Sequence, residues 1–505
     1  MVLIVDFGSQ TTHLISRRIS ELGVKNKIVI PENAISEITK NRPNGIILSG
    51  GPASVYEKDS PTVNPQIFNF KLPILGICYG QQLTAYLLGG KVKGGTKKEY
   101  GPAKLYIKNS PLFKNIFVPH FNVWMSHSDE VEKLPQGFIY IAGTDNISAG
   151  AIADEKRKIY CVQFHPEVQH TTNGMEILKN FLNICDEKPE TTAIDIPGII
   201  ANIKETVGDK KVVMAISGGT DSFVAAALIV KTIGKNLLPV YVDSGLMREN
   251  ALYNVIVLFP KITGIKPKIV SAKKIFLEKL KGISDPETKR KTIGKLYVEL
   301  FEKAAAKQTR VVFLGQGTTY ADFIHSKSTK HAALIKSHHN VGGLPKKMRL
   351  KLLEPLRYFY TDQVRYIGKE IGLPESIIHQ QPFPGPGFAV RILGKVTFER
   401  LEKYKKADAI VVEEIEAAGL KKQIFQYFAI LTNANSTAIK GDSRFYGEIA
   451  AIRAYTTKDR MTADWAKIPY PVLQKISSRI VNEVPGVSRV VYDITTKPPA
   501  TMEWE

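Results

Sequence analysis

Short apolar runs alternate with helix-like patterns through the first 185 residues. The runs read "VLIVDFG", "KIVI", "GIILSGG" and "PILGIC", and a helical pattern covers Thr12 to Leu22. Strands that alternate with helices along a chain are typical of a parallel sheet covered by helices. The pattern therefore predicts an α/β domain at the start of the chain.

A polar, proline-containing stretch from Cys185 to Gly198 predicts a linker. The alternation then restarts with "KVVMAI", a helix from about Ser222 to Ile233, "LLPVYVD", "PKIVSA" and "RVVFLGQG", which predicts a second α/β domain. The turn "PFPGPG" near Gln381 ends this pattern, because its prolines exclude a regular helix and a central strand. A further helix, with apolar residues at helical spacing, and a mixed α+β tail follow. We expect two successive parallel-sheet α/β domains and a small α+β domain, at residues 1–188, 195–383 and 384–505.

Length and composition are those of a multidomain globular protein. At 505 residues the chain exceeds the size at which single cores stop growing. Hydrophobic and charged contents of 44% and 23% are ordinary. We find no apolar run long enough to span a bilayer and no leader-like N-terminus, so we expect a cytoplasmic protein. The three cysteines do not suffice for a disulfide framework, and in a reducing compartment we expect thiols.

The formal charge of +21 changes this interpretation little. Lysine and arginine are spread along the chain without a block of five or six like charges. Nucleic-acid binding is therefore disfavoured, and a lysine-rich composition is the preferred explanation of the charge.

The stretch "PILGICYGQQ" places Cys78 between an apolar run and an apparent helix. Two interpretations fit these ten residues: a small core residue, or a nucleophile on a tight turn at the carboxyl edge of the sheet. A helix N-terminus favours the thiolate that attacks carbonyl groups.

A cysteine nucleophile needs a base, and the base needs an orienting group. The segment "YCVQFHPEV" offers His165 and Glu167, which point the same way if the chain stays extended. The "SGGP" turn, with Gly51, and the N–H of Tyr79 offer donors for an oxyanion. Because these features all lie at apparent strand ends of one domain, we favour Cys78 as nucleophile.

Other interpretations of this domain are weaker. Cys161 lies inside a strand-like run and Cys185 at a helix end, so we expect both to pack in the core. A metal site of His165, Glu167 and His170 lacks a second ligand pair with fitting spacing.

The second domain carries a candidate phosphate loop, "SGGTDS", between an apolar strand and a helix. Such a turn forms a nest of backbone N–H groups at a helix N-terminus, although a Gly-Gly turn also serves as mere connection. The loop lacks the Gly-Lys-Ser/Thr ending of a Walker A motif. Asp221 is a candidate to help hold Mg²⁺ on the phosphate. The candidate ATP-binding residues are Ser217, Gly218, Gly219, Thr220, Asp221 and Ser222.

Two cationic segments, "DPETKRKTIG" and "IKSHHNVGGLP", are either solvated loops or clamps for an anionic substrate. The second has a glycine-rich end and is a candidate lid over a nucleotide. Its candidate residues are Lys336, His338 and His339.

These motifs together carry a family resemblance. "GICYGQQ" and "HPE" resemble the signature of class I glutamine amidotransferases, and "SGGTDS" resembles the pyrophosphate loop of ATP pyrophosphatases. With "DPETKRK", "IKSHHNVGGLP", "FPGPG", "GDSRFYG", "MTADWA" and "KPPATMEWE", the chain is similar over essentially its whole length to the glutamine-hydrolysing GMP synthetase family.

The resemblance implies a two-site ligase. Cys78 would form a thioester with glutamine, with His165 as base and Glu167 as its orienting group, while Gln82 and Asp129 contact the substrate. The ammonia released would react with xanthosine monophosphate (XMP) adenylated by ATP, giving GMP, AMP, pyrophosphate and glutamate. The implied cofactor is Mg²⁺ with ATP and no organic prosthetic group, and the implied assembly is a homodimer through the C-terminal domain. The positions that match the family's XMP-binding residues are Arg290, Gln426, Lys497 and Glu503.

Some residues depart from the family pattern, and rival functions stay open on sequence alone. Ala321 and His325 replace the usual proline and glutamate in a segment implicated in ATP handling. A rival ligase making NAD or asparagine would lack the XMP elements. An RNA-modifying protein would have no use for the Cys78 constellation, and a catalytically dead scaffold would not need it intact.

Overall fold

The structure is a computed structural model that describes residues 1–9, 11–189, 194–306, 309–320, 350–457, 462–497 and 499–505. The chain divides into two compact units, one built on residues 1–193 and one beginning at residue 194. The candidate lid residues Lys336, His338 and His339, and the replaced residues Ala321 and His325, lie outside the described residues.

The first unit is a mixed sheet with helices. Its strands in the described residues are β1 Val2–Val5, β2 Asn26–Val29, β3 Gly45–Leu48, β4 Ile74–Ile77, β5 Lys91–Ile107, β6 His120–Lys133, β7 Ile139–Gly143, β8 Ala151–Asp154 and β9 Ile159–Val162. Its α-helices there are α1 Thr12–Glu21, α2 Ala34–Asn41, α3 Tyr79–Leu87 and α4 Gly174–Ile184. The strand order is β2-β1-β3-β4-β9-β8-β7-β5-β6.

The strands from β2 to β9 in this order pair in parallel, and those from β9 to β6 pair antiparallel. Alternate residues of the parallel strands enter two separate cores: Ile4 and Ile47 lie in one, and Leu3 and Ile46 in the other. Both faces of the parallel region are thus buried, as continuous apolar strands require. The α/β prediction is confirmed, but it was incomplete, because β5 to β8 add an antiparallel extension.

The second unit begins with a parallel sheet of order β12-β11-β10-β13-β14. Its strands are β10 Lys211–Ala215, β11 Leu237–Asp243, β12 Lys268–Ser271, β13 Val311–Gly315 and β14 Lys351–Leu353. The helices described around it are α5 Ile196–Val207, α6 Thr220–Ile233, α7 Glu249–Tyr253, α8 Phe259–Thr263, α9 Lys273–Leu280, α10 Pro286–Ala306, α11 Thr361–Glu370 and α12 Glu375–Ile378.

The C-terminal part of this unit is the expected α+β region. Its elements are α13 Phe398–Ala417, β15 Gln426–Lys440, β16 Ser443–Thr456, β17 Asp464–Trp465, α14 Tyr470–Glu483 and β18 Val487–Asp493. β15 and β16 form an antiparallel hairpin, and β18 pairs parallel to β16. One hydrophobic cluster includes Val240 and Leu314 of the parallel sheet together with Ile410 and Tyr427 of this region. The boundary between residues 383 and 384 stays a prediction.

No α-helix among the described residues is both long and apolar enough to cross a membrane.

Candidate active site

Cys78 lies on a sharp turn between β4 and α3. Its backbone has φ 54° and ψ −106°, a conformation that is strained for a residue with a Cβ atom. The flanking glycines make the turn possible: a Cβ on Gly80 would lie 2.2 Å from Leu48 O, and one on Gly76 would lie 2.7 Å from Gly80 O. The strand, turn and helix therefore hold the Cys78 side chain in one place.

Two polar groups lie next to the thiol of Cys78, a residue that is 6% exposed. Gln163 Nε2 lies 3.7 Å from Sγ, and Ser126 O lies 3.6 Å from it. Gln82 Nε2 lies 3.3 Å from Gln163 Oε1, so the amide of Gln163 links Gln82 to the thiol. The predicted glutamine contact at Gln82 is thus close to the candidate nucleophile.

His165 and Glu167 form a buried pair beside Cys78. His165 Nδ1 lies 2.7 Å from Glu167 Oε1, and the backbone N–H of His165 donates to Trp124 O at 3.0 Å. Burial alone would lower the pKa of His165, but the Glu167 carboxylate and the Cys78 side chain raise it well above its usual value. This imidazole is therefore suited to take a proton from the thiol.

The reason given from sequence for this pairing was wrong. β9 ends at Val162, and the chain turns at Pro166 and Glu167 instead of staying extended. The turn itself brings the two side chains together. Thr171 Oγ1 donates to His165 O at 2.6 Å and helps to hold it.

The candidate oxyanion donors also meet at this point. A Cβ on Gly51 would lie 3.3 Å from Tyr79 Cγ and 2.9 Å from Phe7 O, so the "SGGP" turn packs against the start of α3. A Cβ on Gly50 would lie 3.3 Å from His165 Cε1. Tyr79 is the first residue of α3, where backbone N–H groups have no partner within the helix. The geometry fits the predicted roles of Gly51 and Tyr79.

Asp129 lies on β6 and is buried. Its backbone carbonyl accepts a hydrogen bond from Gln82 Nε2 at 2.9 Å, and its Oδ1 accepts one from Tyr56 OH at 3.1 Å. The structure thus brings the two predicted glutamine contacts, Gln82 and Asp129, into direct contact.

The remaining cysteines are core residues, as expected. Burial raises the pKa of Cys161 to about 12 and raises the pKa of Cys185 further, so both stay thiols. The part of the chain that the structure describes contains no group of three or more His, Cys, Asp or Glu side chains arranged to hold a metal ion. The alternative of a metal site at His170 therefore has no support.

The candidate phosphate loop of the second unit runs from β10 into α6. Gly218 has φ 83°, and a Cβ there would lie 2.5 Å from Ala251 O, so only glycine fits. Ser217 Oγ lies 3.0 Å from Ser222 Oγ, and Ser222 Oγ donates to Gly219 O at 2.9 Å. These bonds fix the loop with the N-terminus of α6 at its centre, which is the arrangement that favours anions.

Thr220 and Asp221 occupy different environments in the loop. Thr220 Oγ1 donates to Ile377 O at 2.6 Å, so its hydroxyl anchors the loop to the end of α12. Asp221 lies in the first turn of α6, and a Cβ on Gly317 would lie 2.7 Å from its backbone carbon. Next to Gly317, Thr318 Oγ1 is buried without a hydrogen-bond partner in the structure.

Three of the four candidate XMP residues lie close together. Gln426 Nε2 donates to Glu503 Oε1 at 3.4 Å, and Arg290 donates to the backbone carbonyl of Glu505. Burial lowers the pKa of Arg290 although nearby carboxylates, Glu503 among them, oppose the shift. The fourth residue, Lys497, lies in an isolated β-bridge of the same C-terminal segment.

The sequence argument missed Arg391, which holds Glu503. The guanidinium donates through Nε and Nη2 to the Glu503 carboxylate at 2.8 and 2.9 Å. It lies between the rings of Phe383 and Phe428, at 4.9 and 3.8 Å from their centroids. A charged residue inside the apolar run "FAVRILG" was the available signal.

Comparison with known proteins gives matches along the whole chain. Residues 3–185 match the family described as glutamine amidotransferase class-I, and residues 413–504 match the GMP synthase C terminal domain. The GMP synthase [glutamine-hydrolyzing] of Brachyspira hyodysenteriae is 51% identical, with 100% of this chain and 99% of that protein covered. The protein of the same name from Clostridium novyi is 50% identical over 100% and 99% of the two chains. A solved glutamine amidotransferase from Thermotoga maritima is 21% identical, with TM-score 0.29, and covers 37% of this chain and 86% of its own.

Proposed function

We propose residue roles for this chain, which belongs to the glutamine-hydrolysing GMP synthase family and performs glutamine-dependent GMP synthesis. The first unit hydrolyses glutamine and the second uses the ammonia. The observation that carries the first assignment is the 2.7 Å contact between His165 and Glu167 beside the strained Cys78 turn.

In the first unit, Cys78 attacks the amide carbon of glutamine after His165 takes its proton. Glu167 holds the imidazole by accepting the Nδ1–H, which directs Nε2 to the reaction. The backbone N–H groups of Gly51 and Tyr79 stabilise the oxyanion. His165 then gives this proton to the amide nitrogen of the tetrahedral intermediate, the C–N bond breaks and neutral ammonia leaves, and water hydrolyses the thioester to release glutamate.

Gln82 and Asp129 bind the amino-acid end of glutamine. A buried carboxylate at Asp129 fits the α-ammonium group by charge. Gln82 connects this binding position to the nucleophile through Gln163. Recognition of the substrate is thereby coupled to the place of the chemistry.

In the second unit, ATP binds the loop from Ser217 to Ser222, including Gly218, Gly219, Thr220 and Asp221. The C2 oxygen of XMP attacks the α-phosphorus and pyrophosphate leaves. Adenylation thereby turns the C2 oxygen, a poor leaving group, into part of AMP, a good one. Ammonia then attacks C2 and AMP leaves. Ammonia must stay unprotonated to react, so its transfer must be shielded from water.

Mg²⁺ fits the donors at this loop. Mg²⁺ on a nucleotide takes one or two carboxylates along with phosphate oxygens and water. Asp221 would supply the carboxylate, and the buried Thr318 hydroxyl would be a second oxygen donor of the same hard type. When bound, the ion would neutralise the phosphate charge that develops as pyrophosphate leaves.

Arg290, Gln426, Lys497 and Glu503 bind XMP. The support is that Gln426 and Glu503 are in contact and that Arg290 reaches Glu505 of the same segment. Arginine and lysine suit the phosphate, whereas the amide and carboxylate suit hydrogen-bonding groups of the purine.

The test is Cys78→Ala, assayed as GMP formation with glutamine and with ammonium salts. We expect glutamine use to be lost and ammonia use to be retained. Cys185→Ala is the matched control, since this buried thiol packs in the core and its loss should leave both activities. Loss of both activities in a folded Cys78→Ala protein would refute the separate sites.

We further propose that the protein is cytoplasmic, forms a homodimer and acts without nucleic acid. The proposed domains are residues 1–188, 195–383 and 384–505. Three free cysteines support a reducing compartment. Exposed apolar side chains of the C-terminal region support self-association, among them Tyr470 at 87% and Val491 at 41%. Light scattering should give twice the mass of one chain, and Val491→Glu should lower it.

A further inference from the structure

We propose that Glu99 and His127 are a positioning pair that orients Asp129 toward the α-ammonium group of glutamine. The proposal rests on the proposed contact between Asp129 and glutamine, and it adds two residues that act only through Asp129.

Glu99 and His127 face each other across β5 and β6 and are buried, at 6% and 5% exposure. His127 Nε2 lies 3.1 Å from Glu99 Oε2. The other carboxylate oxygen accepts hydrogen bonds from Thr144 Oγ1 at 3.0 Å and from Asn146 Nδ2 at 2.9 Å. The carboxylate is thus held on both sides, and it fixes the imidazole in turn.

The hydrogen-bond partners decide where His127 carries a proton. Nδ1 lies 3.0 Å from the backbone carbonyl of Asp129, and a carbonyl oxygen only accepts. A hydrogen bond between these two atoms therefore requires the hydrogen on Nδ1, which makes Nδ1–H the donor to Asp129.

The regular pairing of β5 and β6 is interrupted here. Gly94 pairs with Asp129 and Glu99 pairs with His127, so the pairing register shifts between these two pairs. At this irregularity in the backbone pairing of β5 and β6, side-chain hydrogen bonds hold Asp129. The Asp129 carbonyl accepts from His127 Nδ1 and from Gln82 Nε2, and its side-chain Oδ1 accepts from Tyr56 OH.

These contacts fix both the peptide plane and the carboxylate of Asp129. Losing the Nδ1–H donor frees one side of the peptide plane, and the carboxylate direction then varies. Among the described residues, the hydrogen bonds of Cys78 and His165 involve neither Glu99 nor His127, so the expected effect falls on glutamine binding and not on the nucleophile.

The experiment compares His127→Gln with His127→Asn in the full chain. The asparagine Nδ2 takes the place of the ring Nδ1 and keeps a donor for Asp129, whereas the glutamine Nε2 takes the place of the ring Nε2 and loses that donor. We expect His127→Gln to raise the KM for glutamine by about threefold to tenfold, the loss of one hydrogen bond. We expect His127→Asn to recover most of this, and the kcat with ammonia to stay unchanged in both.

Two further measurements separate positioning from general damage. Alkylation of Cys78 by iodoacetamide, which has no α-ammonium group, should proceed at the wild-type rate in both variants. Slower alkylation in His127→Gln would overturn the proposal, because the pair would then act on the nucleophile. His120→Gln, at a half-buried histidine on the same strand, is the matched control and should change neither quantity.

Asp129→Asn distinguishes the two levels of inference. If it leaves the KM for glutamine unchanged, the proposed role of Asp129 is wrong. If it raises the KM and His127→Gln adds nothing further in that background, the positioning pair is supported. The positioning pair is refuted if Asp129→Asn raises the KM but His127→Gln alone has no effect on it. It is also refuted if His127→Gln raises the KM as much in the Asp129→Asn background as in the wild type.

Discussion

The strained backbone of Cys78 leads to an unusual prediction about stability: Cys78→Gly should be more stable than Cys78→Ala. Both variants remove the thiol, so the packing lost with Sγ cancels between them. Alanine keeps the Cβ atom that makes φ 54° with ψ −106° unfavourable, and glycine removes it.

The size of the difference follows from two opposing terms. Relief of a sparsely populated backbone conformation is worth about 1–3 kcal/mol. Against this, the extra freedom of glycine in the unfolded chain costs about 0.5–1 kcal/mol relative to alanine. The net expectation is a free energy of unfolding about 1 kcal/mol higher for the glycine variant.

Hydrogen–deuterium exchange of the α3 amides in the full chain measures this difference. About 1 kcal/mol corresponds to about fivefold slower exchange. Tyr86 is the matched control, because it is 49% exposed and lies inside α3 with ordinary helical geometry. There the glycine variant should be less stable than the alanine variant by about 1 kcal/mol. If position 78 shows the same order as position 86, the turn stores no strain and the reasoning fails.

Three further predictions concern other parts of the two sites. The raised pKa of His165 stabilises the fold at pH below its unfolded value of about 6.5, and this stability is lost as the pH rises through the folded pKa. Glu167→Gln should lower that pKa, so the free energy of unfolding should decrease less steeply as the pH rises above about 6.5. An unchanged dependence of the free energy of unfolding on pH would contradict this prediction. Thr220→Val should cost about 1–3 kcal/mol of stability by leaving Ile377 O unpaired, with an unchanged KM for ATP. Gln426→Ala should raise the KM for XMP by about tenfold without changing the KM for ATP, and equal changes in both would refute a specific XMP contact.

Some sequence predictions depend on local chemistry, and these agree with the structure. The strand predicted as "LLPVYVD" is β11, and the helix predicted over Thr12 to Leu22 is α1. Strand–turn–helix motifs such as those at Cys78 and Ser217 impose their own backbone geometry through glycine. For this reason a few residues sufficed to locate both candidate sites.

Other features depend on residues far apart in the chain. The contact of Glu99 with His127 joins positions 28 residues apart, and the bond of Arg391 to Glu503 joins positions 112 apart. The role of a buried charged residue cannot be predicted from sequence until its partner is known, because burying the charge costs free energy that only the partner offsets.

The sequence by itself determined the α/β class, the order of the motifs and the family resemblance, since periodicity and short glycine-rich turns are local properties. Only the tertiary structure decided the antiparallel extension of the first sheet. It also decided that a turn, and not an extended strand, joins His165 to Glu167. It also decided which partners hold Asp129. These depend on pairing register and on side chains meeting across strands, which residue spacing alone does not specify.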